Sequence, residues 1–172
     1  MLKTRPNIIL VVLDSVRQDH LSCYGYFRQT TPNIDRIAGE GIQCTRAYAT
    51  SCWTLPSHAS LFTGLYPSQH RADFDTRYLD PRHPTIASYL KSLGYETICI
   101  TCNGFISRDT NLANGFDICV DVERLRGGAG SLRGKVIRYL HRLYRDWRHP
   151  DRGAQRATQL ALNWLDRSNH DK

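Results

Sequence analysis

A chain of 172 residues, 41% hydrophobic and 23% charged, is long enough for one globular domain with its own core, and this composition excludes a disordered or low-complexity chain. The 23 Lys and Arg against 16 Asp and Glu leave a net charge of +7, much of it between Arg124 and Arg152, an asymmetry that fits an anionic partner. The longest apolar run is far below the roughly 20 residues that span a bilayer, and no small-residue cleavage site follows Lys3 and Arg5, so the expected location is cytoplasmic.

Pro6-Asn7 followed by Ile8-Ile9-Leu10-Val11-Val12-Leu13 predicts a buried first strand, apolar on both faces as at the centre of a parallel sheet. Asp14 then stands at its carboxyl end, where open α/β folds bind ligands. It reads equally as a site residue or as the cap of the turn into Val16. Thr31-Pro32-Asn33 starts a short helix over 34–38, with Thr31 as cap and Pro32 at the first helical position, ended by Gly39 and Gly41. A second strand is expected around 42–49. Pro56 marks the next helix, over 56–63, which Gly64 stops.

A helix over 85–93, closed by Gly94, leads into a strand over 95–101, and the alternation implies a mainly parallel sheet with right-handed crossovers. After the flexible Gly127-Gly128-Ala129-Gly130, the residues Leu132, Val136, Ile137, Leu140, Leu143, Tyr144 and Trp147 recur at helical spacing. Arg133, Lys135, Arg138, Arg142, Arg145 and Arg148 face away from that stripe. A last helix over 154–165 puts Ala157, Leu160, Ala161, Trp164 and Leu165 on one face. The expected fold class is α/β, a mainly parallel sheet flanked by helices, with the chemistry in residues 1–120 and basic amphipathic helices in 121–172. The six cysteines show neither zinc-ribbon nor disulfide-framework spacing. Cys99 and Cys102 form a Cys-x-x-Cys, but inside an apolar strand they read as packing thiols.

The segment Trp53-Thr54-Leu55-Pro56-Ser57-His58-Ala59-Ser60 places a hydroxyl just before a helix whose first turn offers unpaired N–H groups and a positive dipole end. That is a place suited to an anionic ester. Thr54 could act there as a nucleophile, and a divalent cation held partly by Asp14 would lower the pKa of its hydroxyl. On residue types alone, Thr54 reads as well as a helix cap, and His58 as an ordinary surface or core histidine.

From Arg5 to about Asp117 the chain resembles the sulfatase family of the alkaline phosphatase superfamily. The resemblance rests on Asn7 to Asp14, on Asp14-Ser15-Val16-Arg17-Gln18-Asp19-His20-Leu21-Ser22-Cys23-Tyr24-Gly25-Tyr26 and on Thr31-Pro32-Asn33-Ile34-Asp35-Arg36-Ile37-Ala38. The run from Pro56 to Pro67 and Leu93-Gly94-Tyr95-Glu96-Thr97 complete it. Several ordered motifs over two-thirds of a chain are far more specific than one short pattern. The resemblance implies a partial alkaline-phosphatase-like (sulfatase) fold, with Asp14 and Thr54 as ligands of a divalent metal ion (Ca, Mg, Mn or Zn). It places Thr54 at the nucleophile's position and His58 beside it in the catalytic motif.

The chain departs from the family's pattern in three places. Sulfatases carry Cys or Ser in Cys/Ser-x-Pro-Ser-Arg, the residue oxidised to formylglycine, whereas this motif is Thr54-Leu55-Pro56-Ser57-His58, and Thr cannot mature to an aldehyde. Cys52, four residues before Pro56, does not replace it. The family's adjacent metal carboxylates are here Asp14-Ser15. Near Thr101-Cys102-Asn103-Gly104 the Lys and His of the sulfate-contacting segment are absent, leaving Asn103 to offer a neutral hydrogen bond to substrate. The site therefore resembles threonine-type members, similar to phosphoglycerol transferases and other phosphodiester-cleaving relatives.

The downstream Asp-His pair of the family is not found; Asp19-His20 is expected to cap a helix and His170-Asp171 is reversed. The expectation is the N-terminal portion of a metal-dependent hydrolase of sulfuric or phosphoric esters, its metal site incomplete. It would be truncated before the other half of the fold, or completed by a second chain, and inactive on its own. The alternative is a non-catalytic basic module whose residues 132–148 bind an anionic membrane surface or, less expected, nucleic acid; a solvated helix face is the plainer account of those charges.

Overall fold

A proline has no N–H to leave unpaired at a helix start, and Pro32 opens the first helix, α1 (Pro32–Glu40). The computed structural model describes residues 5–122 and 153–170. The expected helix over 132–148 and the Gly127–Gly130 connection lie outside the described residues. The chain divides into two units, Met1–Ala49 and Thr50–Lys172.

In the first unit, two 3₁₀ turns, Gln18–His20 and Ser22–Tyr24, precede α1. Thr31 stands at the N-cap position, but its hydroxyl does not cap the helix. Instead it donates to Asp35 Oδ1 at 3.0 Å, while Ser22 Oγ donates to Asp35 Oδ2 at 2.6 Å. The backbone N–H of Ser22 also donates to Thr31 Oγ1 at 3.1 Å, and that of Thr31 to Ser22 Oγ at 3.1 Å. This network ties the second turn to α1 and holds the Asp35 carboxyl below its ordinary pKa, Ser22 being the main cause.

Two expected strands do not form in this unit. Residues 8–13 are not a buried strand, and their side chains are 45–73% exposed. A parallel strand is buried because neighbouring strands take up its N–H and C=O groups and helices cover its faces. Among the described residues no ladder forms along this segment, so its apolar composition alone does not make it a strand. Residues 42–49 are likewise no strand, and Ile42 is 95% exposed. That segment is held by side chains instead: Tyr24 Oη donates to the Cys44 carbonyl and Gln43 Nε2 to the Cys23 carbonyl, each at 2.8 Å.

The second unit contains α2 (Thr54–Thr63), α3 (Pro67–His70), α4 (Ile86–Ser92), β1 (Ile98–Thr101), β2 (Ile118–Asp121) and α5 (Ala154–His170). Leu55, Ala59 and Phe62, spaced four and three apart, give α2 one apolar face. That face packs with Ala72, Leu79, Ile106 and Leu112 as the core. Gly64, at φ +72° and accepting no steric penalty there, ends α2 by donating its N–H to the Ser60 carbonyl at 2.8 Å.

Thr85 caps α4 in a reciprocal pair: its Oγ1 accepts from the Ser88 N–H at 3.1 Å and Ser88 Oγ accepts from the Thr85 N–H at 2.9 Å. The strand expected over 95–101 begins only at Ile98. Tyr95 N–H bonds back to Leu90 of the helix, and Thr97 N–H goes to the Asp117 carboxylate at 2.9 Å, so neither is free for the ladder.

β1 and β2 are parallel, with Ile98 opposite Ile118, Cys99 opposite Cys119, Ile100 opposite Val120 and Thr101 opposite Asp121. Sixteen residues of turns, 102–117, connect them without a helix. α5 packs on β1 through the face the sequence marks: Ala157, Leu160, Ala161, Trp164 and Leu165 are half-buried and the residues between them exposed. The fold class is α/β.

Candidate active site

The site grows from the start of α2. Trp53 is extended (φ −139°, ψ 165°) and fills the capping position, and Thr54 is the first helical residue. The expectation of Thr54 as the cap in front of the helix is thus corrected by one position. A cap must leave helical φ/ψ, as Trp53 does, and its indole meets Phe74 at a tilt (centroids 4.4 Å) and the edge of Phe105 (5.6 Å). The Trp53 side chain makes no capping hydrogen bond to the first turn.

Asn103 follows the carboxyl end of β1 and reaches Thr54, its Nδ2 donating to Thr54 Oγ1 at 3.4 Å. The amide is oriented locally. Its Oδ1 accepts from the Phe105 N–H at 3.0 Å, and its own N–H donates to Thr101 Oγ1 at 2.9 Å. With Oδ1 committed to the turn, the NH₂ end is the one left to face the threonine. Thr54, His58 and Asn103 are half-buried.

His58 lies one helical turn after Thr54, with Nδ1 2.9 Å from the Thr54 carbonyl. A carbonyl only accepts, so Nδ1 carries the proton, and in the neutral ring Nε2 keeps its lone pair. Phe62 meets the ring edge-on at 6.1 Å.

Asp14 belongs to the first unit and is exposed, accepting a 3.2 Å hydrogen bond from Ser15 Oγ. Ser15 itself sits at φ +64°, a conformation unusual for a residue with a side chain. Asp19 does not cap a helix as expected. It is inside the 3₁₀ turn, chelated by Arg17 at 2.5 Å and touched by His20 Nδ1 at 3.0 Å, and the guanidinium holds its carboxyl well below the carboxylate range.

A divalent ion needs a shell of several donors. Among the described residues no group of three or more His, Cys, Asp or Glu gathers. Asp14 with its Ser15 partner is a single carboxylate, so the described residues do not by themselves fit a complete divalent-metal site, and no chemical step is derived through one.

Sequence reasoning missed a buried polar pair on the back of α2. Ser60 Oγ lies 3.0 Å from His70 Nε2, and His70 Nδ1 accepts from the Ala72 N–H at 3.0 Å. Because Nδ1 accepts, Nε2 carries the proton and donates to Ser60. That tautomer cannot take a proton from the serine, and the pair braces α2 against α3 rather than forming a nucleophile with its base. A separation of ten positions and the absence of any local pattern hide it in the sequence.

A helix start beside the carboxyl end of a parallel strand, carrying a hydroxyl met by an oriented amide, defines an α/β protein with its polar site at the sheet's carboxyl edge. The sulfatase family's sequence profile matches residues 6–127, and the chain belongs to the sulfatase family.

The chain is 41% identical over 98 residues to N-acetylgalactosamine-6-O-sulfatase of Bacteroides thetaiotaomicron, covering 54% of this chain and 19% of that protein. It is 31% identical over 157 residues to steryl-sulfatase of Mus musculus, covering 77% and 25%. The crystal structure of phosphonate monoester hydrolase of Agrobacterium radiobacter superposes with a TM-score of 0.55 at 30% identity, over 66% of this chain and 25% of that one. The chain thus spans between about a fifth and a quarter of the length of these relatives. Its fold is part of the sulfatase fold.

Proposed function

We propose that this chain contributes the nucleophile end of a sulfatase-like hydrolase of sulfuric or phosphoric esters, with Thr54 as the attacking group. The observation that supports this most is the 3.4 Å approach of Asn103 Nδ2 to Thr54 Oγ1 at the first turn of α2. Helix-start N–H groups that the Trp53 side chain does not cap suit the charged ester oxygens. In attack, the Thr54 oxygen forms the new bond to sulfur or phosphorus and the alcohol leaves with a proton. Asn103 donates to the threonine oxygen as its proton departs, and the Nε2 lone pair of His58 is the proposed acceptor. Water or an acceptor alcohol then releases the acid group.

Asp14 and Thr54 are the donors proposed from this chain for a divalent ion of the kind sulfatases generally use. A second chain supplying further donors, an inactive 172-residue chain and a cytoplasmic location remain parts of the proposal. No helix among the described residues is long and apolar enough to cross a membrane.

The test is Thr54→Ala in a longer relative with the same Thr-Leu-Pro-Ser-His run, assayed on aryl sulfate and phosphate mono- and diesters. Loss of the covalent route should lower turnover by about a thousandfold or more, with phosphodiesters hit hardest. Retention of more than about a tenth of the activity would return Thr54 to a structural role.

A further inference from the structure

Cys99 and Cys119 are twenty positions apart in sequence, yet they stand directly opposite each other on the parallel pair β1–β2. Residues opposite on neighbouring strands point to the same face of the sheet, and their Cα atoms are about 4.8 Å apart. That is inside the Cα–Cα range of about 4.4 to 6.8 Å found in disulfides. Both thiols are free and half-buried. Cys99 is also the first member of the sequence's Cys-x-x-Cys, whose second member, Cys102, lies beyond the end of β1.

We propose that Cys99 and Cys119 form a redox-reactive dithiol, which a hydroperoxide converts into a disulfide linking β1 to β2. The two sulfurs are unequal. The nearness of Cys99 pulls the Cys119 pKa down, aided by Arg108 and opposed by burial and Asp121. The nearness of Cys119, with burial, pushes Cys99 up. Cys119 is accordingly the nucleophile and Cys99 the resolving thiol.

The Cys119 thiolate attacks one peroxide oxygen; the O–O bond breaks, the alkoxide takes a proton, and Cys119 becomes a sulfenic acid. The Cys99 sulfur then attacks the Cys119 sulfur. An S–S bond forms, the S–O bond breaks, and the hydroxyl leaves as water with the Cys99 proton. Two thiols lose two electrons and one hydroperoxide is reduced to an alcohol and water. The link would tie together the two strands whose carboxyl ends carry Asn103 and Asp121.

The full chain is exposed to stoichiometric hydrogen peroxide, its remaining thiols are blocked with N-ethylmaleimide, and tryptic peptides are mapped. In the folded chain and in its Cys102→Ser variant, the peptide with Cys99 should be joined to the peptide with Cys119, about ten times faster than in the chain unfolded in guanidinium. In Cys99→Ser, dimedone should trap a sulfenic acid at Cys119. A link that runs through Cys102, oxidation spread evenly over the six cysteines, or equal linking rates in folded and unfolded chains would each overturn the proposal without depending on any variant that fails to fold.

Discussion

A single hydrogen-bond commitment decides what each polar residue here can do. Asn103 offers its NH₂ to Thr54 because Phe105 already claims its carbonyl oxygen. His70 is neutral because its Nδ1 accepts from Ala72 and burial pulls its pKa down from the ordinary 6.5. The unfolded chain therefore binds a proton near pH 6.5 that the folded chain resists. His70's contribution is intact above pH 6.5 and lost as pH falls through that value toward the lower folded one. The carboxylates held down by partners, such as Asp117 by Lys91 and Asp35 by Ser22, keep their contribution until pH drops below their ordinary 3.8. The melting temperature should therefore fall between pH 8 and pH 5.5, and His70→Gln should flatten that slope. An unchanged wild-type melting temperature over this interval would show that His70 protonates freely in the fold.

At the scale of elements, α4 and the turn before β2 meet backbone to backbone. Gly115 is at φ +92°, and a Cβ there would overlap the Ser88 nitrogen and lie 2.7 Å from its Cα. Neither strain nor clash can be relieved by a side-chain rotation. Gly115→Ala should cost at least about 2 kcal/mol, read from a chemical denaturation midpoint. The same contact makes Thr85 more than a cap, since its hydroxyl accepts from Ser88 and donates to the Asn114 carbonyl at 2.8 Å. Thr85→Ala should therefore lose about 2 kcal/mol, the upper end of the range for an N-cap, because a carbonyl loses its partner as well. If either variant melted like the parent, this junction would carry no stability.

At the scale of the molecule, the exposed run Ile8-Ile9-Leu10-Val11-Val12-Leu13 is the feature with the largest consequence for behaviour in solution. Contiguous apolar surface with unladdered backbone invites association. The chain should self-associate at micromolar concentration, and Ile9→Lys with Val11→Lys should shift it toward monomer in light scattering. A monodisperse parent would show that this run is covered in solution.

Much of the chain is legible without a structure because some signals are local. Pro32, Gly64, Thr85 and the spacing of Ala157, Leu160, Ala161, Trp164 and Leu165 fix α1, α2, α4 and the packed face of α5, since capping and helical periodicity need only near neighbours. The motif around Thr54 was legible for the same reason, and with it the family. Of the expected strands, the one over 95–101 forms from Ile98, but residues 8–13 and 42–49, with strand composition, do not, because a ladder exists only where a distant segment supplies the complementary groups. The 3.4 Å meeting of Asn103 with Thr54, the Ser60–His70 brace and the Cys99–Cys119 register all join residues ten to forty-nine positions apart. Sequence determined which residue types were available and where α1, α2, α4 and α5 lie to within a few residues. Tertiary structure alone decided which of them touch, because contact across a fold depends on how separate elements pack and not on any local pattern.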